Sequence, residues 1–166
     1  SVTVFERFRE RGFMNKVIFL DIDGVLNSNF WNNSHQREIS DGTLVDAEKV
    51  KLLAALIRAT DAGIVLHSGW KYWFDDEAKP LRKEAERLQV MLAKEGLTIS
   101  GITPDHSTEE IRRTKRFSLI KAGEILAWLD AHREVEEWVV IDDLDLHNEE
   151  VARHQVKTDA CVGLTM

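Results

Sequence analysis

Three short apolar runs, each closing on carboxylates or a hydroxyl, constrain what this chain can fold into: Lys16-Val-Ile-Phe-Leu-Asp21-Ile-Asp23, Gly63-Ile-Val-Leu-His-Ser68 and Trp138-Val-Val-Ile-Asp142-Asp143. They are brief, continuous and rich in β-branched residues, and they lack the apolar/polar alternation of a sheet wetted on one face. That pattern belongs to parallel strands covered on both sides. Helical periodicity fills the intervals. Residues 45–62 carry Val50, Leu53, Ala54, Leu56 and Ile57 on one face and run into Gly63 as a helix C-cap; 77–95 carry Leu81, Ala85, Leu88, Met91 and Leu92 and end at Gly96; 119–132 carry Ile120, Ile125, Leu126, Trp128 and Leu129. Alternating strand and helix predicts a three-layer α/β fold with a mainly parallel sheet. Ligands bind outside the carboxyl ends of the strands in such sheets. Asp21, Asp23, Ser68, Asp142 and Asp143 are therefore expected to converge.

The rest of the composition fits one domain without staples. The chain has 166 residues, 43% of them hydrophobic and 31% charged, enough to bury a core without disulfides or an obligate protein partner. Its one cysteine, Cys161, allows no internal disulfide and has no neighbours at zinc-ligand spacing; it is expected to be a small buried hydrophobe. No stretch has the ~20 apolar residues of a membrane helix, and the first residues have no apolar signal core, so the expected location is cytoplasmic. A net charge of −7 disfavours sequence-independent nucleic-acid binding. The densest basic cluster, Arg112, Arg113, Lys115 and Arg116, reads as a solvated helix face or loop. Pro104, in Gly101-Ile-Thr-Pro-Asp, marks a turn-rich connection. His67, His106, His147 and His154 have no ligand spacing and read as ordinary histidines. Residues 1–15 form an extension ahead of a domain spanning 16–166.

Two carboxylates one residue apart, closing an apolar strand and followed by Gly24, cannot both bury their charge uncompensated. A divalent cation supplies the compensation. Magnesium takes a few carboxylate oxygens, waters and a substrate phosphate, and Asp21, Asp23, Asp142 and Asp143 are the candidate ligands. With phosphate repulsion offset, Asp21 attacks phosphorus to form an aspartyl-phosphate, and Asp23 protonates the leaving oxygen and then deprotonates water. Gly24 gives the backbone room around the phosphate. Ser68, with Gly69 beside it, binds a non-bridging oxygen, and Lys121 adds positive charge as the transition state develops. Lys115, Lys71 and Lys79 are the substitutes for Lys121.

These residues resemble the four motifs of the haloacid dehalogenase superfamily of aspartate-nucleophile phosphatases. Asp21-Ile-Asp-Gly-Val-Leu-Asn27 is similar to the first, Ile64-Val-Leu-His-Ser68 to the second, Lys121 to the third and Val139-Val-Ile-Asp-Asp143 to the fourth, in that order. An Asp-x-Asp-Gly string also occurs in calcium loops, but those do not follow a buried apolar strand. A narrower resemblance, to the small phosphatase-like domain of the so-called Swiss Army knife RNA-repair proteins, rests on Ser68-Gly-Trp70, Gly101-Ile-Thr-Pro104, Glu124-Ile-Leu-Ala-Trp-Leu129 and Val156-Lys-Thr-Asp-Ala-Cys-Val-Gly-Leu-Thr165. The chain departs from that group at His67-Ser68-Gly69, where a double serine or Thr-Ser is common, and at Lys121, where arginine is common. The resemblance implies a Rossmann-like fold, an Mg2+ cofactor and a phosphorylated small molecule or nucleic-acid terminus as substrate.

The interval between the first two motifs is too short for a large cap over the site, which is expected to be open. Residues 29–37, with Phe30, Trp31 and His35, and 70–76, with Tyr72 and Trp73, are the candidate substrate loops, whose aromatics either stack on a base or pack onto the domain. Two other readings are a phosphatase of free nucleotides or other small phosphomonoesters, and an interaction or regulatory module that keeps the fold without turnover. Retention of both Asp21 and Asp23 argues against the second.

Overall fold

The computed structural model describes residues 15–28, 36–40 and 43–165. A five-stranded sheet in the order β5-β4-β1-β6-β7 forms its centre. β1 is Lys16–Leu20, β4 Gly63–Leu66, β5 Ile99–Ile102, β6 Glu137–Asp142 and β7 Gln155–Lys157. All four pairings are parallel. Between β1 and β4 the chain inserts a two-stranded antiparallel hairpin, β2 (Gln36–Ser40) with β3 (Thr43–Asp46), and then helix α1 (Ala47–Thr60). Helix α2 (Lys83–Lys94) precedes β5, α3 (Glu109–Thr114) and α4 (Ser118–Ala131) precede β6, and α5 (Glu149–Arg153) precedes β7.

The pleat of β1 divides the interior. Ile18 and Leu20 face a core built with Leu53 of α1 and Leu88 and Leu92 of α2, while Val17 and Phe19 face a second core built with Ile125 and Trp128 of α4 and Val151 of α5. Both faces are thus covered by helices, giving the three-layer α/β fold that the continuous apolar runs predict and the Rossmann-like arrangement that the resemblance implies. The hairpin is the only insertion among the described residues between β1 and α1. No helix of the described residues is long and apolar enough to cross a membrane.

Several local expectations change. Val45 pairs with Arg37 in the hairpin, so α1 starts later than its apolar period suggests, and Asp46 is its N-cap, accepting the Glu48 N–H at 2.9 Å. Its C-cap is Asp61 in the left-handed conformation at φ 57°, and Gly63 already belongs to β4. The 77–95 stretch is helical only from Lys83, because Pro80 breaks the helix ladder; Pro80 bridges Phe74 instead, and Leu81 is 63% exposed rather than on the buried face. Gly96 does end α2: at φ 76° it allows its N–H to reach the Ala93 carbonyl and the Leu97 N–H to reach that of Leu92. Gly101 lies in strand β5 rather than in a turn. Cys161 is exposed, not buried.

Candidate active site

The ladder of the parallel strands runs on past their ends and sets the site. Asp21 N–H donates to the Ile141 carbonyl at 3.0 Å, His67 N–H to Leu20 at 3.1 Å and Thr103 N–H to Leu66 at 3.0 Å. The first residues beyond β1, β4 and β5 are thereby held side by side at one edge of the sheet, next to the end of β6. Ile22, Val25 and Leu26 are fully buried, and the N–H groups of Val25 and Leu26 return to the Ile22 carbonyl. This tight turn anchors the loop by its apolar residues and leaves Asp21 and Asp23 on the other side.

Carboxylate oxygens of Asp21, Asp142 and Asp143 lie within 4.8 Å of one another. Lys121, from the first turn of α4, places its Nζ 2.7 Å from Asp142 Oδ2 and 3.6 Å from Asp21 Oδ2. Three carboxylates and one ammonium leave an excess of two negative charges in a largely buried place. The electrostatics register the excess. Asp21, only 4% exposed, has its carboxyl pushed well above the usual range by burial, against the pull of Lys121 and with Asp142 and Asp143 adding repulsion. Burial followed by Asp142 likewise raises Asp143. Burial also opposes the charges on Asp142 and Lys121. Lys121, by its charge and its hydrogen bond, and the Leu144 N–H nevertheless hold Asp142 low, and Asp21 and Asp142 hold Lys121 high. A hard divalent cation fits the unmet demand at Asp21 and Asp143. Asp142 is more fully engaged, since its Oδ1 accepts the Leu144 N–H at 2.9 Å and its Oδ2 faces Lys121 at 2.7 Å.

Asp23 lies outside that cluster. Its Oδ1 accepts from Asn27 Nδ2 at 2.9 Å and its Oδ2 from the Trp70 indole Nε1 at 3.1 Å, so its side chain turns to the cleft rather than to the other three carboxylates. Ser68, buried at the end of β4, accepts the Trp70 N–H at 3.1 Å and so caps the short 3-10 helix Gly69–Trp73. The hydroxyl keeps its own proton for another acceptor.

Of Lys71, Lys79, Lys115 and Lys121, Lys121 is the one paired with carboxylates of the cluster. Lys71 Nζ is committed to Glu124 Oε2 at 2.7 Å, the Pro104 carbonyl at 2.9 Å and Thr103 Oγ1 at 3.2 Å. Lys79 pairs with Glu77 on the surface, and Lys115 lines the cleft.

Gly24 serves a different steric need from the one its sequence context suggests. A Cβ there would lie 2.6 Å from Asp143 Cγ and Oδ2, and φ is +79°. The freed space holds the Asp143 carboxylate. Gly24→Ala is expected to cost about 1–3 kcal/mol through backbone strain and to displace Asp143. Wild-type thermal stability in this variant would show that the left-handed backbone and the close Asp143 carboxylate impose no strain.

His67, which reads as ordinary in the sequence, is a component of this site. Its side chain is fully buried with Nε2 3.4 Å from Asp142 Oδ2, and burial, with Lys121 adding repulsion, drops its pKa to about 3. It is neutral at any physiological pH. The terminal segment also braces the loop: Thr158 Oγ1 donates to the Gly24 carbonyl at 2.7 Å and Leu164 N–H to Val25 at 2.8 Å.

An open cleft of about 1360 Å³ adjoins the cluster at Asp143 and is lined also by Asp23, Gly24, Asn27, Gly69, Trp70, Trp73, Lys115, Phe117 and hairpin residues including Thr43 and Leu44. Trp73 is therefore a cleft residue, whereas Tyr72 donates its hydroxyl to Asp105 at 3.0 Å. Phe30, Trp31 and His35 lie outside the described residues.

A model of the family described as the HAD domain in Swiss Army Knife RNA repair proteins matches residues 17–166, and the chain belongs to that family. A comparison with curated proteins finds no significant match.

Proposed function

We propose that this family member is a magnesium-dependent phosphomonoester hydrolase acting on phosphorylated ends of nucleic acid or on nucleotides. The observation that carries the reading is the three-carboxylate cluster, closed on one side by Lys121 and opening on the other, past Asp23, into the cleft. Asp21 and Asp143 would hold Mg2+, which supplies charge neutralisation for an approaching phosphate. Asp142 orients Lys121.

In the first step an Asp21 oxygen forms a bond to phosphorus as the bond from phosphorus to the leaving oxygen breaks, and Asp23 delivers its proton to that oxygen. In the second, Asp23 takes a proton from water, whose oxygen attacks phosphorus and frees Asp21. Lys121, and Ser68 through its remaining proton, stabilise the non-bridging oxygens.

The family description supports RNA ends as the substrate class. So does the cleft, which is open enough for a terminal phosphate on a polymer and has Trp73, Phe117 and Lys115 in its lining. Release of inorganic phosphate is expected from an aryl phosphate with magnesium and not in excess chelator. Terminally phosphorylated oligonucleotides are expected to surpass the matching mononucleotides. Equal rates for the two would point to the free-nucleotide reading, and no release from any of them to a module without turnover.

A further inference from the structure

We infer that Trp70 is a positioning residue, holding the Asp23 carboxylate through its indole N–H. The inference rests on the phosphohydrolase reading, which gives Asp23 its role as acid. Asp23 lies outside the buried cluster, and among the described residues its carboxylate contacts are two N–H groups, which set its direction. One belongs to Asn27, four residues on in the same turn, whose Oδ1 accepts the Gly24 N–H at 2.9 Å and whose Nδ2 also reaches the Leu44 carbonyl at 2.9 Å. The other comes from 47 residues away.

Trp70 is fit for this task in three ways. It is only 5% exposed, so its indole N–H needs a protein acceptor, and Asp23 Oδ2 is that acceptor. Its ring is packed against Trp73, with centroids 4.9 Å apart, and it belongs to the apolar core on one face of the sheet, so the N–H cannot swing freely. Its backbone N–H is fixed by Ser68 Oγ at 3.1 Å. One residue thus ties the phosphate-binding serine at its backbone to the acid at its side chain, setting the spacing between the group that grips phosphate and the group that protonates the leaving oxygen. Each Asp23 oxygen has two lone pairs, so one N–H bond apiece leaves capacity for the transferable proton.

The test compares kcat/KM, which reports the first chemical step, for two substrates differing in their need for an acid. An aryl phosphate with a nitrophenolate leaving group departs with little protonation; an alkyl phosphate such as a nucleoside 5′-monophosphate does not. Trp70→Phe keeps the aromatic packing and removes the N–H. It is expected to lower kcat/KM for the alkyl ester about tenfold or more, as befits loss of one hydrogen bond to a charged group, and to leave the aryl ester within about twofold, since protonation contributes little there. Asp23→Asn should give the same asymmetry, larger. Equal loss on both substrates in Trp70→Phe would mark a merely structural tryptophan and overturn the inference. Equal loss in Asp23→Asn would instead remove Asp23 as the acid, and with it the reading beneath. Should Trp70→Phe not fold, the Trp70 indole N–H resonance decides in the otherwise native chain: Asp23→Ala is expected to shift it upfield, and an unmoved resonance overturns the inference.

Discussion

Asp21→Asn is expected to abolish phosphate release, by roughly four to six orders of magnitude, and to leave the metal-free protein as stable as the native chain or more so. The first half follows from the role: an amide oxygen does not form the covalent bond to phosphorus that an ionised carboxylate forms. The second half follows from the site. The Asp21 carboxyl is raised by burial first, with Asp142 and Asp143 adding repulsion that Lys121 only partly offsets. An acid whose folded-state pKa lies above its unfolded value binds its proton more tightly when folded, so its ionisation costs stability as pH rises through the folded value. Asparagine has the same shape and no such cost, and Lys121 keeps its 2.7 Å contact with Asp142. Thermal unfolding in chelator should therefore show the variant gaining on the native chain between acid and mildly alkaline pH. Magnesium should raise the native midpoint by ligand linkage and the variant's far less. A variant much less stable at alkaline pH would mean that the Asp21 charge is held favourably, and retained turnover would exclude it as nucleophile.

The division between what could be read in the sequence and what could not has a physical basis. The three interior strands β1, β4 and β6 are legible because burial on both faces demands unbroken apolar text. The edge strands are not: β5 contains Ser100 and Gly101, and β7 is Gln-Val-Lys with Val156 exposed. In the hairpin, Ile39 of β2 is buried beside the exposed Arg37 and Glu38, and Val45 of β3 falls in phase with the helix that follows. At the site, position at a strand end was enough to bring Asp21 and Asp142 together, because parallel pairing places those ends side by side. Partnerships made by side chains across the fold leave no local period. The Trp70 to Asp23 bond spans 47 residues, and the place of His67 against Asp142 depends on the register of β4 and β6 on either side of β1. Lys121 was ambiguous for the same reason: helical text gives its face but not the acid it meets.

Lys121→Met resolves that ambiguity by stability as well as by rate. Both ends of the Lys121–Asp142 pair are buried, at 6% and 0% exposure, and breaking a buried pair by removing one partner typically costs about 3–5 kcal/mol because the other charge is stranded. For a chain of this length that is a fall in unfolding midpoint of roughly 10 °C at neutral pH. The pH dependence identifies the stranded group. In the native chain Lys121 is held above its usual range and Asp142 below its own, so the pair is intact across the neutral range. Without Lys121, burial raises Asp142 as it already does Asp21, and protonation removes the cost. The deficit of the variant should then shrink as pH falls from about 8 to about 5, the direction opposite to ordinary acid denaturation. Turnover with magnesium should drop by about 10²–10³, the range for losing one preorganised charge stabiliser. A deficit near zero at every pH would make Lys121 an idle lysine, and a deficit that does not shrink with acid would mean that packing, rather than the stranded Asp142 charge, is what Lys121 supplies.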